Sequence, residues 1–489
     1  MIKRTQTKVV ALIFMFGSLL LSCSTQPIEM VSTTESESWK KVENIQVAAS
    51  GEKPDVRIET SDVAQSIDGF GTCFNELGWT SLELLGEEDR KFILKEMFAP
   101  GVGANFNICR MPVAANDFAR KWYSYDETAD DFEMNNFSIS NDLETLVPFI
   151  KSALNYNQNI KIWASPWSPP SWMKYNKHYA ARSVLGDMNF KSDEYGMDMT
   201  GINNGLPRDR QGKEGTDMFI QDEKYFKAYA LYFQKFIKAY KEQGIDIFMV
   251  MPQNEFNSAQ VFPSCTWTAS GLTTFVGKYL GPAMNDLDVE VMFGTMERPN
   301  ELLVDTVLND PDAGQYVKGV GFQWAGKEAV PGIHKRYPEL KLYQTEQECG
   351  NGKNDWKNCK YSWTLTKHYL ENGANAYMYW NTSLLKKGIS TWGWKQNSLV
   401  SVDAENSTYQ FNYEYYLIKH FSHFIQPGAH RLNITGTFSN LLAFINPDQS
   451  IILVMQNEES NVKEISVKID DRNYRLTLEP DSFSSVKIL

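Results

Sequence analysis

The chain has 489 residues and a net charge of −12, enough length for a large domain with a smaller companion. No clustered basic face is available for phosphates, so a nucleic-acid partner is excluded. Aromatic residues make up 13% of the chain and include thirteen Trp, which suits sugar faces but also fills cores.

In chain order, Lys3, Arg4 and Lys8 precede an apolar run from Val9 to Leu21 and then Ser22-Cys23. This reads as a secretory signal, too short and too poorly flanked for a spanning helix. The ending Leu20-Leu21-Ser22-Cys23 resembles a bacterial lipobox, although Leu at its second position is a departure. The resemblance implies cleavage before Cys23, a lipid on its sulfur and an outer-membrane location. An ordinary signal peptide with a chance cysteine is the alternative. Residues 23–40, Ser- and Thr-rich as far as Glu37, are then expected to form a flexible tether. Residues 41–66, with Val42 to Glu59 foremost, are expected to lend strands to a side domain.

Eight short apolar or β-branched runs follow: Ile67 to Phe74, Asn105 to Pro112, Ile160 to Ser165, Ile247 to Met251, Val289 to Gly294, Gly319 to Gln323, Leu340 to Thr345 and Ala374 to Trp380. Between them Ser81 to Phe98, Asp142 to Asn155, Tyr225 to Gln243, Ala269 to Leu287 and Tyr361 to Asn372 carry apolar residues at helical spacing. This alternation predicts an α/β fold, a (β/α)8 TIM barrel over residues 67–415, with a doubly wound sheet as the alternative. Over residues 416–489 short alternating strands such as Leu441 to Ile445, Ile451 to Met455 and Tyr474 to Leu478 predict a β-sandwich. The N-terminal segment would interlock with it. A long polar stretch from Trp172 to Tyr225, following the third strand, is expected to stand as an ordered wall at the catalytic face.

Five cysteines remain after Cys23, and no spacing resembles a zinc site. Cys349 and Cys359 are close enough in sequence for a disulfide in an oxidising compartment. None of the six His lies in a His-Glu-x-x-His pattern, so neither metal nor cofactor is expected.

Chemistry concentrates where two strands end in glutamate: Gln253-Asn254-Glu255 and Gln344-Thr345-Glu346-Gln347-Glu348. Two carboxyls facing each other across a barrel mouth are what glycoside hydrolysis needs. Glu255 would be the acid/base, its pKa raised by burial and by the second carboxylate. Asn254 is suited to a sugar 2-hydroxyl. Strand alternation puts Glu346 and Glu348 on one face and cannot choose between them, although Glu346 lies nearer the end of the apolar run.

These motifs resemble glycoside hydrolase family 30, the group containing glucosylceramidases and endo-β-1,6-glucanases. Ile67-Asp68-Gly69-Phe70-Gly71 resembles the opening strand, and Arg110-Met111-Pro112 with Asn116-Asp117-Phe118 the second-strand motif. The run Ala164 to Lys174 resembles the third-strand signature, and Gln253-Asn254-Glu255 and Thr345-Glu346 match the fourth- and seventh-strand motifs. The resemblance implies a retaining mechanism with Glu346 as nucleophile and Glu255 as acid/base. It also implies sugar contacts from Asp117, Trp167, Asn254, Gln323, Trp324 and Trp380, supported by Arg110 and Asn381. A salt bridge from Asp117 to Arg110 is the other role open to Asp117. Gln323-Trp324-Ala325 and Tyr379-Trp380-Asn381 stand where glucosylceramidases have His-Trp-Tyr and Asp-Trp-Asn, so one pocket acid is expected to be missing. The expected substrate is a β-linked glucan, β-1,6 foremost. Glucosylceramide, or exo-action on β-glucosides, β-xylosides or β-fucosides, comes next, and a non-catalytic glycan-binding lipoprotein is the reading from another class.

Overall fold

The computed structural model describes residues 28–42, 46–47, 53–185, 191–192 and 196–489. The expected signal segment and Cys23 lie outside these residues.

Eight parallel strands close into a barrel: Gly69–Cys73 (β1), Ile108–Val113 (β2), Lys161–Pro166 (β3), Ile247–Val250 (β4), Glu290–Met296 (β5), Val317–Gln323 (β6), Lys341–Glu346 (β7) and Ala374–Asn381 (β8). Pairing of β8 with β1, Ala376 opposite Gly69, completes the ring and disposes of the doubly wound alternative. The strands are apolar along most of their length because lumen and helix layer bury both faces. Close strand approach explains one glycine. A Cβ on Gly71 would sit 1.6 Å from the carbonyl oxygen of Ile108 on β2.

The helical layer follows the apolar periodicity with two breaks. The expected helix from Ser81 to Phe98 is two, Glu76–Glu83 and Glu87–Phe98, parted at Leu84 to Gly86. The expected helix from Ala269 to Leu287 is interrupted by a π turn at Val276–Leu280, which ends two residues before Pro282. Proline has no N–H to donate and its ring crowds the preceding turn, so regular α pairing fails there.

The companion domain is a sheet of ten strands folded over its own core of Met30, Val56, Ile58, Leu453, Val467, Leu476 and Val486. Two sequence expectations are corrected here. The tether expected over residues 23–40 contains a strand, Ile28–Thr34, paired along its whole length with the last strand, Ser482–Ile488. Met30 is buried in this core and Val31 in that of the barrel, each contributing roughly 1.5–3 kcal/mol that offsets the entropy lost in ordering the segment. The sandwich also does not begin at residue 416. Tyr413–Ser422 is a helix that buries Tyr415, Leu417, Ile418 and Phe421, and the sandwich strands resume at His430–Gly436. His420 on that helix ties the domains, hydrogen-bonding Thr33 at 2.9 Å and Ser485 at 2.8 Å.

Cys73, Cys109, Cys265, Cys349 and Cys359 are free buried thiols, so the possible Cys349–Cys359 disulfide is absent. Cys349 Sγ instead lies 3.0 Å from the Gln347 carbonyl oxygen.

Candidate active site

At the C-terminal end of the barrel a cavity of about 280 Å³ opens between the loops. Asp117, Trp167, Glu255, Glu297, Trp324 and Glu346 line its inner part. Its outer walls include Arg182, Met199, Phe262 and Trp394.

The floor is built around Arg110 of β2, which has no solvent exposure. Its guanidinium donates to Glu346 Oε2 at 2.9 Å, to Asn254 Oδ1 at 2.6 Å and to Ser165 Oγ at 2.9 Å. It also lies 4.3 Å from the ring centre of Trp167 and 5.5 Å from that of Trp380. Such a cation, fully desolvated between indole faces, needs several acceptors, and these three supply them. The salt bridge between Asp117 and Arg110 is not formed, because the arginine is spent on Glu346.

Gln323 ends β6 at the centre of this network. Its Nε2 lies 3.1 Å from Glu255 Oε1, 3.2 Å from Glu346 Oε2 and 3.2 Å from Asn254 Oδ1, while Oε1 accepts from Thr345 Oγ1 at 2.9 Å. Expected as a sugar contact, Gln323 is fully buried, and both ends of its amide serve the protein. This residue also measures the site. One nitrogen reaches an oxygen of each glutamate, so those oxygens are no farther apart than its two bonds combined. That limit admits the ~5–5.5 Å gap of retaining enzymes.

Glu346 is chosen over Glu348 by a local irregularity. The register between β6 and β7 shifts between Phe322 and Gln323, which pair with Gln344 and Glu346 respectively. The bulge turns both Thr345 and Glu346 toward the lumen. The strand ends there, and Glu348 leaves to an ion pair with Lys327 at 2.6 Å and a hydrogen bond from Tyr361 at 2.9 Å. Glu346 Oε1 accepts from Trp324 Nε1 at 3.1 Å. Burial pushes the Glu346 carboxyl up, and the donors Arg110, Trp324 and Gln323 oppose that by favouring the anion.

Glu255 differs. Its backbone beyond β4 is held by Asn254 N on the Pro166 carbonyl at 2.7 Å and by Glu255 N on Thr295 Oγ1 at 2.9 Å. The residue takes φ +48°, as does Trp324, a left-handed conformation that costs a side-chain-bearing residue about 1–2 kcal/mol. Its Oε1 meets Gln323, while Oε2 is buried without a partner. Burial, then the negative charges of Glu297, Glu346 and Asp117, hold this carboxyl well above the ordinary range. Burial raises both carboxyls, but only that of Glu346 has a cation beside it to favour the anion, an asymmetry that suits acid-assisted nucleophilic displacement.

The remaining expected residues divide between contact and support. Asp117 lines the cavity with Oδ1 unpartnered, and burial followed by the Glu346 charge raises its carboxyl. Trp167 lines the cavity, whereas Trp380 is wholly buried and stacks on Trp167 at 5.2 Å between ring centres. Asn254 uses its oxygen on the floor, accepting also from Thr295 Oγ1 at 3.2 Å. Asn381 holds the loop after β8, donating to Gln396 Oε1 at 2.9 Å, and does not line the cavity itself.

Tyr379 requires a correction. Its neighbour Trp380 faces the lumen beside Arg110, so strand alternation turns Tyr379 to the helix side of β8, and an acid at this position would point away from the cavity. This departure therefore says nothing about substrate. Ala325 likewise does not line the cavity.

Sequence reasoning missed Glu297 and Arg298, which directly follow β5. The signal was available, because Met296-Glu297-Arg298 puts charge at a strand end just as Glu255 and Glu346 do. The described part of the wall expected between Trp172 and Tyr225 does stand at the cavity. The stretch from Trp172 to Tyr225 supplies Arg182, Met197 and Met199, braced by bridges between Ala180 and Pro263 and between Lys174 and Phe219. Phe190 and Tyr195, expected in that wall, lie outside the described residues.

Residues 67–197 and 209–425 match the glycosyl hydrolase family 30 TIM-barrel domain, and residues 428–486 match the family 30 beta sandwich domain. Putative glucosylceramidase 1 of Caenorhabditis elegans is 30% identical over 463 residues, covering 88% of this chain and 82% of its own. An endo-1,6-beta-D-glucanase of Aspergillus fumigatus is 27% identical over 478 residues, covering 92% and 88%. Among solved structures, SrfJ from Salmonella typhimurium superposes with a TM-score of 0.80 at 21% identity, covering 94% of this chain and 99% of its own. With both family domains matched in order along most of its length, the protein belongs to glycosyl hydrolase family 30 and is a β-glycoside hydrolase.

Proposed function

We propose that the protein is a retaining endo-β-1,6-glucanase in which Glu346 is the nucleophile and Glu255 the acid/base. The observation that carries the mechanism is the single amide of Gln323 touching both carboxyls. Glu346 attacks the anomeric carbon while the glycosidic C–O bond breaks, and the proton on Glu255 passes to the leaving oxygen. Glu255, now an anion, then takes a proton from the water that cleaves the glycosyl ester and releases Glu346. Asp117 and Trp167 are placed to hold the sugar being transferred.

Support for a saccharide leaving group comes from the outer cavity, where Arg182, Gln260, Arg298 and Gln396 stand beside the faces of Phe262 and Trp394. Charged groups with aromatic faces suit a hydroxylated ring. The similarity to the fungal endo-1,6-beta-D-glucanase agrees with this. A panel of β-linked glucans tests it: β-1,6-glucan should yield short oligosaccharides, and turnover only of other β-glycosides would reject the linkage.

A second reading, glucosylceramidase, is favoured by the nematode relative's higher identity and by Met197, Met199 and Val261 in the same wall, which would suit a lipid aglycone. Glucosylceramide in detergent is therefore part of the same panel. Lipidation at Cys23 completes the proposal, supported by the lipobox-like run alone. Metabolic labelling with palmitate should mark the wild type and not Cys23→Ser.

A further inference from the structure

We infer that Glu297, oriented by Arg298, is a leaving-group subsite residue that accepts a hydrogen bond from a hydroxyl of the departing sugar. This rests on the glycosidase mechanism proposed above but not on the β-1,6 linkage.

The inference starts from position. Around the barrel, Asp117 and Trp167 follow β2 and β3 and Trp380 lies on β8, so the grip on the transferred sugar gathers on that side. Glu297 and Arg298 follow β5, adjacent to Glu255, where the leaving oxygen receives its proton. Glu297 is 6% exposed, lines the cavity and has a buried Oε2 with no hydrogen-bond partner. A buried polar atom left open in this way loses free energy unless something pairs with it. The rest of the group is fixed. Oε1 takes Arg298 at 2.6 Å, the backbone N–H of Glu297 donates to Asn257 Oδ1 at 3.0 Å, and Asn257 Nδ2 returns a bond to the Arg298 carbonyl at 2.9 Å. Arg298 is itself held by Glu214 at 3.3 Å. One oxygen is anchored, and the other is an unused acceptor on a residue that lines the cavity. The Glu297 charge is also the largest charge effect raising the Glu255 carboxyl, which agrees with close approach of the two.

Glu297→Gln keeps the shape and replaces the open acceptor. On a gluco-oligosaccharide that the wild type cleaves, kcat/KM should fall on the order of 10- to 100-fold. The loss on 4-nitrophenyl β-glucoside, whose leaving group carries no sugar hydroxyl, should be at least tenfold smaller. The same site serves acceptors, so with the aryl glucoside as donor, transfer to added glucose relative to water should also drop about tenfold. Equal losses on both substrates together with an unchanged transfer ratio would overturn the inference. A wild type that turns over aryl glucoside but no β-1,6-glucan would reject the glucan reading alone, and the transfer ratio would still decide the role of Glu297.

Discussion

The floor and the wall of the cavity are built on opposite terms. On the floor, Arg110, Gln323 and the Asn254 oxygen spend their hydrogen-bonding capacity on one another and on Glu346. On the wall, Asp117, Glu255 and Glu297 each keep one buried carboxyl oxygen unpartnered. A satisfied network fixes geometry before substrate arrives, whereas an unsatisfied oxygen waits for a hydroxyl or a proton. Damage to the floor should therefore cost stability and nucleophile control together, and damage to the wall should cost substrate turnover with little loss of stability.

The largest effect is expected from Glu346→Gln, which should lower kcat by about 10⁴-fold or more on any β-glucoside the enzyme accepts. Residual activity above a hundredth of wild type would return Glu348 to consideration. Glu255→Gln should cost about 10²- to 10⁴-fold on a glucan, and less on an aryl glucoside whose leaving group departs without a proton. A uniform loss on the two would contradict the acid role. Arg110→Met leaves the Glu346 charge uncompensated and should destabilise the fold by about 3–5 kcal/mol in chemical denaturation. Losing the cation raises the Glu346 pKa, so the acidic limb of kcat/KM should move to higher pH; a limb that stays put would break the link between floor and nucleophile. Asp117→Asn should lower kcat/KM by roughly 10- to 100-fold, through a lost charge-assisted sugar contact, without lowering the denaturation midpoint. A fall in that midpoint would make Asp117 part of the floor. Glu348→Gln removes only the exchange with Lys327 and Tyr361, worth about 0–1 kcal/mol, and activity should stay within about twofold of wild type.

The floor is legible in the sequence by residue but not by role, and the wall only in part. Asp117 and Glu255 announce themselves as acids close after strands. Gln323 looked like a sugar contact because nothing local shows that its amide closes on two glutamates from β4 and β7. Trp380 and Asn381 show the same limit, since each supports a neighbour that lines the cavity, Trp167 in one case and Gln396 in the other. Tyr379 differs from expectation because a motif fixes a position and leaves the direction of the side chain open. The strand Ile28–Thr34 escaped notice because its partner is the last strand of the chain and its own composition reads as a linker.

By itself the sequence determined the alternation of apolar strands and amphipathic helices, the barrel this implies, and the placing of Glu255 and Glu346 at strand ends. Those features are local, set by periodicity and by where an apolar run stops. Only the tertiary structure decided that Glu346 rather than Glu348 enters the lumen, that Gln323 bridges the two carboxyls, that Glu297 joins them and that Tyr379 turns away. Each of these depends on a register shift or a partner distant in the chain, and a one-residue bulge redirects a side chain that alternation alone cannot place.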